Sequence, residues 1–340
     1  MEKFLGLIIF FIILNYILFR LNDYISNKIN LFDYPDNKRK LHKEKTALTG
    51  GLFFFINLII LILFLKIENF QFLNEAFFNR REFVSFGLLF ISLFAIGLYD
   101  DKYDLNPFKK LFLSAFFIFL SLLIDESLII KELKFLTGNY SIQLLGLSIP
   151  FTILSFLLFQ NALNMFDGID LQVPIYTFVL LIYLILSKDF QLLIFLIPVM
   201  MFIIYYNFRK KLFLGDSGTN LLATLISYII IKEYNSGNKI IYCDEIFLLM
   251  LIPGLDMLRL FIYRILRGKN PFSSDNLHIH HLLLKYFSQN ITILIIQLHI
   301  FTPILIFNYF NNWLFFLLFG KITVYFSCIL FLTKRKINLN

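Results

Sequence analysis

Charge is scarce in this 340-residue chain: Asp, Glu, Lys and Arg together make up 16% of it, whereas soluble globular proteins carry about a quarter. Cysteine is nearly absent, with two residues. Cys243 falls in a loop and Cys328 in the last apolar run, so neither a disulfide framework nor a thiolate metal site is expected. Internal repeats and low-complexity linkers are also missing, and residues 1–340 read as a single domain. What fills the composition is apolar: 59% of the residues are hydrophobic and 45 are Phe. Apolar runs of about 17 to 22 residues recur along the chain, the length needed to cross a hydrocarbon core. The expected fold class is therefore all-α, a polytopic transmembrane bundle with the lipid bilayer as its surroundings and no room for a separate soluble domain. The run from Phe4 to Phe19 lacks a small-residue cleavage site and reads as a retained span. The phenylalanines read as lipid-facing and packing surface, and the net charge of +8 as a report of orientation. A nucleic-acid partner is not expected.

The expected spans number about eleven: 4–20, 47–66, 83–99, 111–124, 148–165, 171–187, 190–207, 219–232, 245–265, 291–309 and 313–332. Loops then alternate between two sides. One side collects, among others, Lys38, Arg39, Lys40, Lys109, Lys110, Arg209, Lys210, Lys211, Arg267 and Lys269. By the positive-inside rule that side is cytoplasmic, with the N-terminus outside and the C-terminus inside. Within the outer loop 125–147, Thr137-Gly138-Asn139 between apolar runs suggests a short hairpin lying on the bundle.

The unusual polar clusters all fall on the basic side. The stretch from Gln160 to Asp170 carries Asn161, Asn164, Asp167 and Asp170 at three-residue intervals, with Gly168 among them. Residues three apart on a helix sit ~60° from one another, so Asn161 and Asn164 share a face. Polar groups at the end of a membrane helix are costly unless they face a cavity, a partner or an ion. Asp100, Asp101 and Asp104 leave the third span, with Lys109 and Lys110 starting the fourth. Adjacent carboxylates repel and call for a cation or proton between them. Alone, this cluster could equally be a solvated loop. Asp216, set between Gly215 and Gly218 with Ser217 and Thr219, offers hard oxygen ligands at a helix start, which suits Mg²⁺ bound with substrate phosphates. Read in isolation, the same residues make an ordinary N-cap. His278, His280 and His281 are three of five histidines; without a nearby cysteine they fit phosphate donors better than a zinc site. Asp256 has Arg259 three residues on, and a local ion pair accounts for it.

Taken together and in order, these clusters resemble the polyprenyl-phosphate N-acetylhexosamine-1-phosphate transferase family, glycosyltransferase family 4. The undecaprenyl-phosphate GlcNAc-1-phosphate branch is nearer than phospho-MurNAc-pentapeptide translocase. The resemblance is carried by Arg39-Lys-x-His42 with Gly50-Gly51, Asp100-Asp-x-x-Asp104 with Lys110, and Asn161-x-x-Asn164-x-x-Asp-Gly-Ile-Asp170. Phe213-x-Gly-Asp-x-Gly218, Asp256 and Asn270-Pro-Phe-Ser-x-Asp with His278-Ile-His-His281 complete it. The resemblance implies transfer of a sugar-1-phosphate, GlcNAc-1-phosphate first, from a UDP-N-acetylhexosamine to undecaprenyl phosphate. UMP is released, and the product primes cell-surface polysaccharide synthesis at the cytoplasmic face of a bacterial inner membrane.

It also implies a Mg²⁺ cofactor, with Mn²⁺ as substitute, held by Asp216 and Asn164. Asp100 and Asp101 would orient the attacking phosphate or take its proton, with Asp104, Asp167 and Lys110 counted among the catalytic groups. Phe213 would stack the uracil beside Asn207 and Asp170; Asn161, His278, His280 and His281 would bind substrate, Lys110 and the histidines neutralising phosphates. A homodimer is a further expectation. Two departures stand out: Leu171 and Ala47 occupy places where the family usually has glycine and proline. The alternatives are a membrane prenyltransferase using Asp100–Asp104, which leaves Asp216 and the histidines unexplained, and a transporter with an acid relay, which should place acids near the midplane and not crowded on one side.

Overall fold

The computed structural model describes residues 2–35, 44–67, 79–188, 190–237, 242–273 and 275–337. Arg39, Lys40 and His42 lie outside them. The structure is helical, as the apolar runs require, with two small additions to the all-α expectation. Phe32–Asp33 (β1) pairs antiparallel with Thr46–Ala47 (β2), and Glu132–Phe135 (β3) pairs with Tyr140–Gln143 (β4) in the register Glu132↔Gln143 to Phe135↔Tyr140. The second pair is the hairpin expected in loop 125–147.

The helices in chain order are α1 (Glu2–Arg20), α2 (Asn22–Ile29), α3 (Gly50–Ile67), α4 (Arg80–Tyr103), α5 (Pro107–Ile124), α6 (Ser148–Phe166) and α7 (Gln172–Lys188). There follow α8 (Ile197–Phe208), α9 (Gly215–Ser236), α10 (Cys243–Leu266), α11 (Ile279–Leu283), α12 (Gln289–Tyr309) and α13 (Leu314–Ile337). Each expected span overlaps one of them, 190–207 only from Ile197 onward, after a 3₁₀ helix over Gln191–Leu196. Among the described residues seven helical stretches, Gln191–Phe208 one of them, are able by length and composition to cross a membrane, and eight if the α1–α2 pair, bent by 56°, is one span. The apolar parts of α3 and α7 are shorter, and α9 is not among the seven. The eleven crossings expected from the sequence therefore exceed what length and hydropathy alone support.

The reason α9 fails that test is also the reason it organises the bundle. It packs against α3, α4 and α6, and its Ser217, Thr219, Asn220, Thr224 and Ser227 are buried together with its Leu and Ile residues. A helix buried on all sides needs no lipid-facing stripe, so its mean hydropathy falls. Polar contacts inside the bundle act as glue where water is absent. Asn15 and Asn57 exchange amide bonds of 2.8 and 3.0 Å between α1 and α3. In α10, Pro253 leaves the Leu249 carbonyl without its helical donor, and Tyr176 supplies one at 3.1 Å. The buried Lys321 ammonium donates to the Leu248 and Ile300 carbonyls at 2.8 and 3.1 Å.

Candidate active site

Close backbone approach gathers the site around the start of α9. A Cβ on Gly97 would lie 2.6 Å from Ser217 Cα, and one on Gly51 would run into the Gly218 amide. Only glycine admits α3 and α4 that near. The segment entering α9 is stitched to the start of α3 in the manner of a strand: Phe213 N donates to Ala47 O at 2.8 Å, Gly50 N to Phe213 O at 3.0 Å and Gly51 N to Leu214 O at 3.1 Å. Ala47, at the place of the family's proline, thus sits in this pairing.

The turn between α4 and α5 then delivers the acids. Asp104 closes α4 in the left-handed conformation at φ 57°. Asn106 caps α5 through a bond from Phe108 N of 2.9 Å, with Pro107 at the first helical position. This tight reversal sets Lys110 against the end of α4. Its ammonium lies 2.7 Å from Asp100 Oδ2 and also pairs with Asp216 Oδ2. Asp100 Oδ1 accepts from Leu105 N at 2.6 Å, which holds the turn. Asp101 caps α9 from a distant helix, its Oδ1 accepting from Asp216 N at 2.6 Å and its Oδ2 from Ser217 N at 3.0 Å. A carboxylate there satisfies orphan amides and complements the helix dipole. Gly215 makes this possible: its φ is +70°, and a Cβ would meet Asp101 Oδ2 at 2.6 Å.

The end of α6 closes the cluster. Asn164 donates to Thr219 Oγ1 at 3.3 Å. Asp167 follows the helix end, and removal from water, then the charges of Asp216, Asp170 and Asp101, push its pKa up to about 8. Asp170 Oδ2 lies 3.9 Å from the Lys210 ammonium. The loop between them leans on α11: the space a side chain on Gly168 would need is filled by the His280 imidazole. His278, His280 and His281 pack ring against ring, with centroids 5.3 and 4.3 Å apart along the series. Burial, then the neighbouring rings, hold His280 well below its ordinary pKa and lower His281 to about 4. Both are therefore neutral in the resting protein.

Several expected site residues stand elsewhere or are already engaged. Asp104 is exposed at the helix end, apart from the Lys110 pair. Asn161 turns its amide back to Leu157 O at 2.7 Å. Asn207 is a pin between two backbones, accepting from Leu171 N at 2.6 Å and donating to Leu212 O at 3.1 Å. Phe213 is half-buried beside the start of α9. Leu171 has φ +71°, a glycine-like backbone, yet its side chain is buried with Ile169 and Ile293. The sequence reading passed over Gly97, Lys210 and Tyr325. Asp256 does pair with Arg259, at 2.8 Å, but it holds more than that residue, as shown below.

The donor set suits a hard divalent cation. Lys110 pairs with Asp100 and Asp216, and the exposed Lys210 lies near Asp170, while burial and then the neighbouring carboxylates raise the pKa of Asp167. Among the described residues no group of three or more His, Cys, Asp or Glu side chains is arranged around one metal position; Asp100 and Asp216 both pair with the Lys110 ammonium.

Comparison with known proteins points the same way. Residues 83–233 match the family described as glycosyl transferase family 4. The chain is 27% identical over 276 residues to the undecaprenyl-phosphate alpha-N-acetylglucosaminyl 1-phosphate transferase of Haemophilus influenzae, covering 77% of this chain and 74% of the relative. The protein of the same name from Pasteurella multocida is 28% identical over 276 residues, 77% and 73% of the two chains. That from Yersinia pestis is 26% identical over 275 residues, 77% and 71%.

Proposed function

We propose that this chain, a glycosyl transferase family 4 protein across residues 83–233, transfers a sugar-1-phosphate from a UDP-N-acetylhexosamine to undecaprenyl phosphate and releases UMP. The sugar is GlcNAc, in keeping with the names of the relatives. The observation that carries the reading is the convergence of Asp100 and Asp216 on Lys110, with the loop that holds Asp167 resting on the His280 imidazole. Two anionic phosphates must meet here, so the site has to supply charge and alignment more than covalent chemistry.

In the step proposed, an oxygen of the lipid phosphate attacks the phosphorus that bears the sugar. The bond from that phosphorus to the bridging oxygen breaks, and UMP leaves with the electron pair. Lys110 neutralises the diphosphate, and its bonds to Asp100 and Asp216 fix where the ammonium stands. Asp101 keeps the first amides of α9 in place. His278, His280 and His281 donate to phosphate oxygens. Asp216 with Asn164 would hold Mg²⁺, or Mn²⁺ in its stead, which offsets charge on the diphosphate and the leaving UMP. Asp104 is exposed and apart from Lys110, so a prenyltransferase clamp between Asp100 and Asp104 is disfavoured.

The positive-inside count supports placing this end of the bundle in the cytoplasm of a bacterial inner membrane. The product would prime a cell-surface polysaccharide, and a homodimer remains part of the proposal. The deciding assay is UMP release from a panel of UDP-N-acetylhexosamines by the purified protein. Release that needs both polyprenyl phosphate and Mg²⁺ is expected, and release indifferent to the lipid would overturn the reading.

A further inference from the structure

Asp256 lies on α10, outside the acidic cluster, and is 1% exposed. Four donors from three parts of the chain converge on its carboxylate. Arg259 Nη2 reaches Oδ1 at 2.8 Å, the Tyr325 hydroxyl of α13 reaches the same oxygen at 2.7 Å, and Ile279 N lies 3.2 Å from it. Oδ2 is left for His278 Nδ1 at 2.7 Å. Arg259 also donates to Tyr325 Oη at 2.8 Å and to Leu277 O at 2.7 Å. A pair of residues three apart on one helix needs only the first of these bonds. The rest tie α10, α13 and the start of α11 to one buried carboxylate.

Such a carboxylate, ionised beside an arginine, can only accept. The ring nitrogen facing Oδ2 must then carry a proton, and Nδ1–H of His278 is committed to Asp256. Nε2 is the ring nitrogen that the Asp256 contact leaves over. The His278 ring is parallel to that of His280, at an interplanar angle of 4°, and His280 leans on Gly168 beside Asp167. The histidines therefore run from Asp256 toward the acidic cluster.

We propose that Asp256, braced by Arg259 and Tyr325, is a positioning residue: it fixes the ring orientation and tautomer of His278, so that the bare Nε2 takes the proton of a substrate phosphate hydroxyl and the imidazolium formed donates it back to that oxygen, its charge offset by the carboxylate. The role in transfer rests on the function proposed above; the pairing itself does not. In Asp256→Asn the amide oxygen can still accept from Arg259 and Tyr325, but its nitrogen donates toward Nδ1. The proton then moves to Nε2 and the charge of the carboxylate is lost.

The test is ¹⁵N NMR of the histidine-labelled full chain in lipid nanodiscs, with His278→Gln identifying the resonances. The wild type is expected to show a proton on Nδ1 of His278, and Asp256→Asn a proton on Nε2 with Nδ1 bare. Loss of activity in Asp256→Asn should be about 10- to 100-fold in kcat/KM, the range found when the partner that orients a functional histidine is removed. Tyr325→Phe removes a brace but keeps the carboxylate, so its Nδ1 proton should persist. A bare Nδ1 in the wild type overturns the proposal, and that spectrum decides even if Asp256→Asn does not fold. An Asp256→Asn spectrum identical to wild type, with activity lost, makes Asp256 a mere brace and also overturns it. A wild type with the Nδ1 proton but no UMP release from any UDP-sugar sinks the transferase reading and leaves the Asp256–His278 pairing standing.

Discussion

Gly168→Ala is the sharpest single perturbation of this site, because it adds one methyl group where a fully buried imidazole already stands. The His280 ring would have to withdraw by roughly an ångström or more to restore an ordinary carbon contact of ~3.5–4.0 Å. His280 is packed against His278 and His281 and has little room to yield. Overpacking of this kind costs about 1–3 kcal/mol. A misplacement of ~1 Å at a reacting centre costs about 100-fold in rate. Gly168→Ala should therefore lower Tm by several degrees and kcat/KM for UMP release by one to two orders of magnitude. The control is the same substitution in a His280→Ala background, where the space is already empty. There the added methyl should cost less than about 0.5 kcal/mol, which leaves most of the penalty as coupling between the two positions. Thermal unfolding in detergent and the UMP assay measure both quantities. Wild-type behaviour of Gly168→Ala would refute the packing argument, and so would an equal penalty in the two backgrounds.

Three other outcomes follow from the same geometry. Asp167 titrates near pH 8 in the folded chain and near ~3.9 when unfolded, so between those values the folded state binds the extra proton. Stability in metal-free buffer should then fall as pH rises from about 4 to about 8, by up to ~1.4 kcal/mol per unit; Asp167→Asn should remove that slope and raise Tm at pH 8, and a slope left intact in a melt series would assign it to other groups. Asp216→Asn should abolish turnover, whereas Asp100→Asn should keep activity that recovers above about pH 7, because a phosphate monoester is already largely dianionic there; a pH–rate profile with Mg²⁺ varied checks both, and the reverse pattern would exchange the two roles. Leu171→Gly should relieve a left-handed backbone worth roughly 1–2 kcal/mol while losing ~1.5–3 kcal/mol of side-chain burial. A net loss of about 1 kcal/mol is expected, with KM for the UDP-sugar little changed because the side chain packs on Ile169 and Ile293; a large KM shift would put Leu171 in the substrate pocket.

Hydropathy and motif order made most of this protein legible before any coordinates. Each expected span is a helix because lipid-length apolar runs have no other way to satisfy their backbone. The acids, the glycine-flanked Asp216 and the histidines are short-range patterns that survive without knowing who faces whom. Packing decided the rest. Asp101 accepts from the Asp216 amide 115 residues later, and Lys110 stands between Asp100 and Asp216; no spacing rule within one helix reports such pairs. A polar helix such as α9 reads as a weak span, yet its polar side chains are hidden on every face. Asp256 reads as a complete ion pair with Arg259, since that partner is local, while His278 and Tyr325 reach it only through the docking of α11 and α13 against α10. Local order in the chain determined which groups the site owns. The interhelical contacts determined which group holds which, because hydrogen bonds and charge pairs act over a few ångströms and only the folded bundle brings distant residues that near.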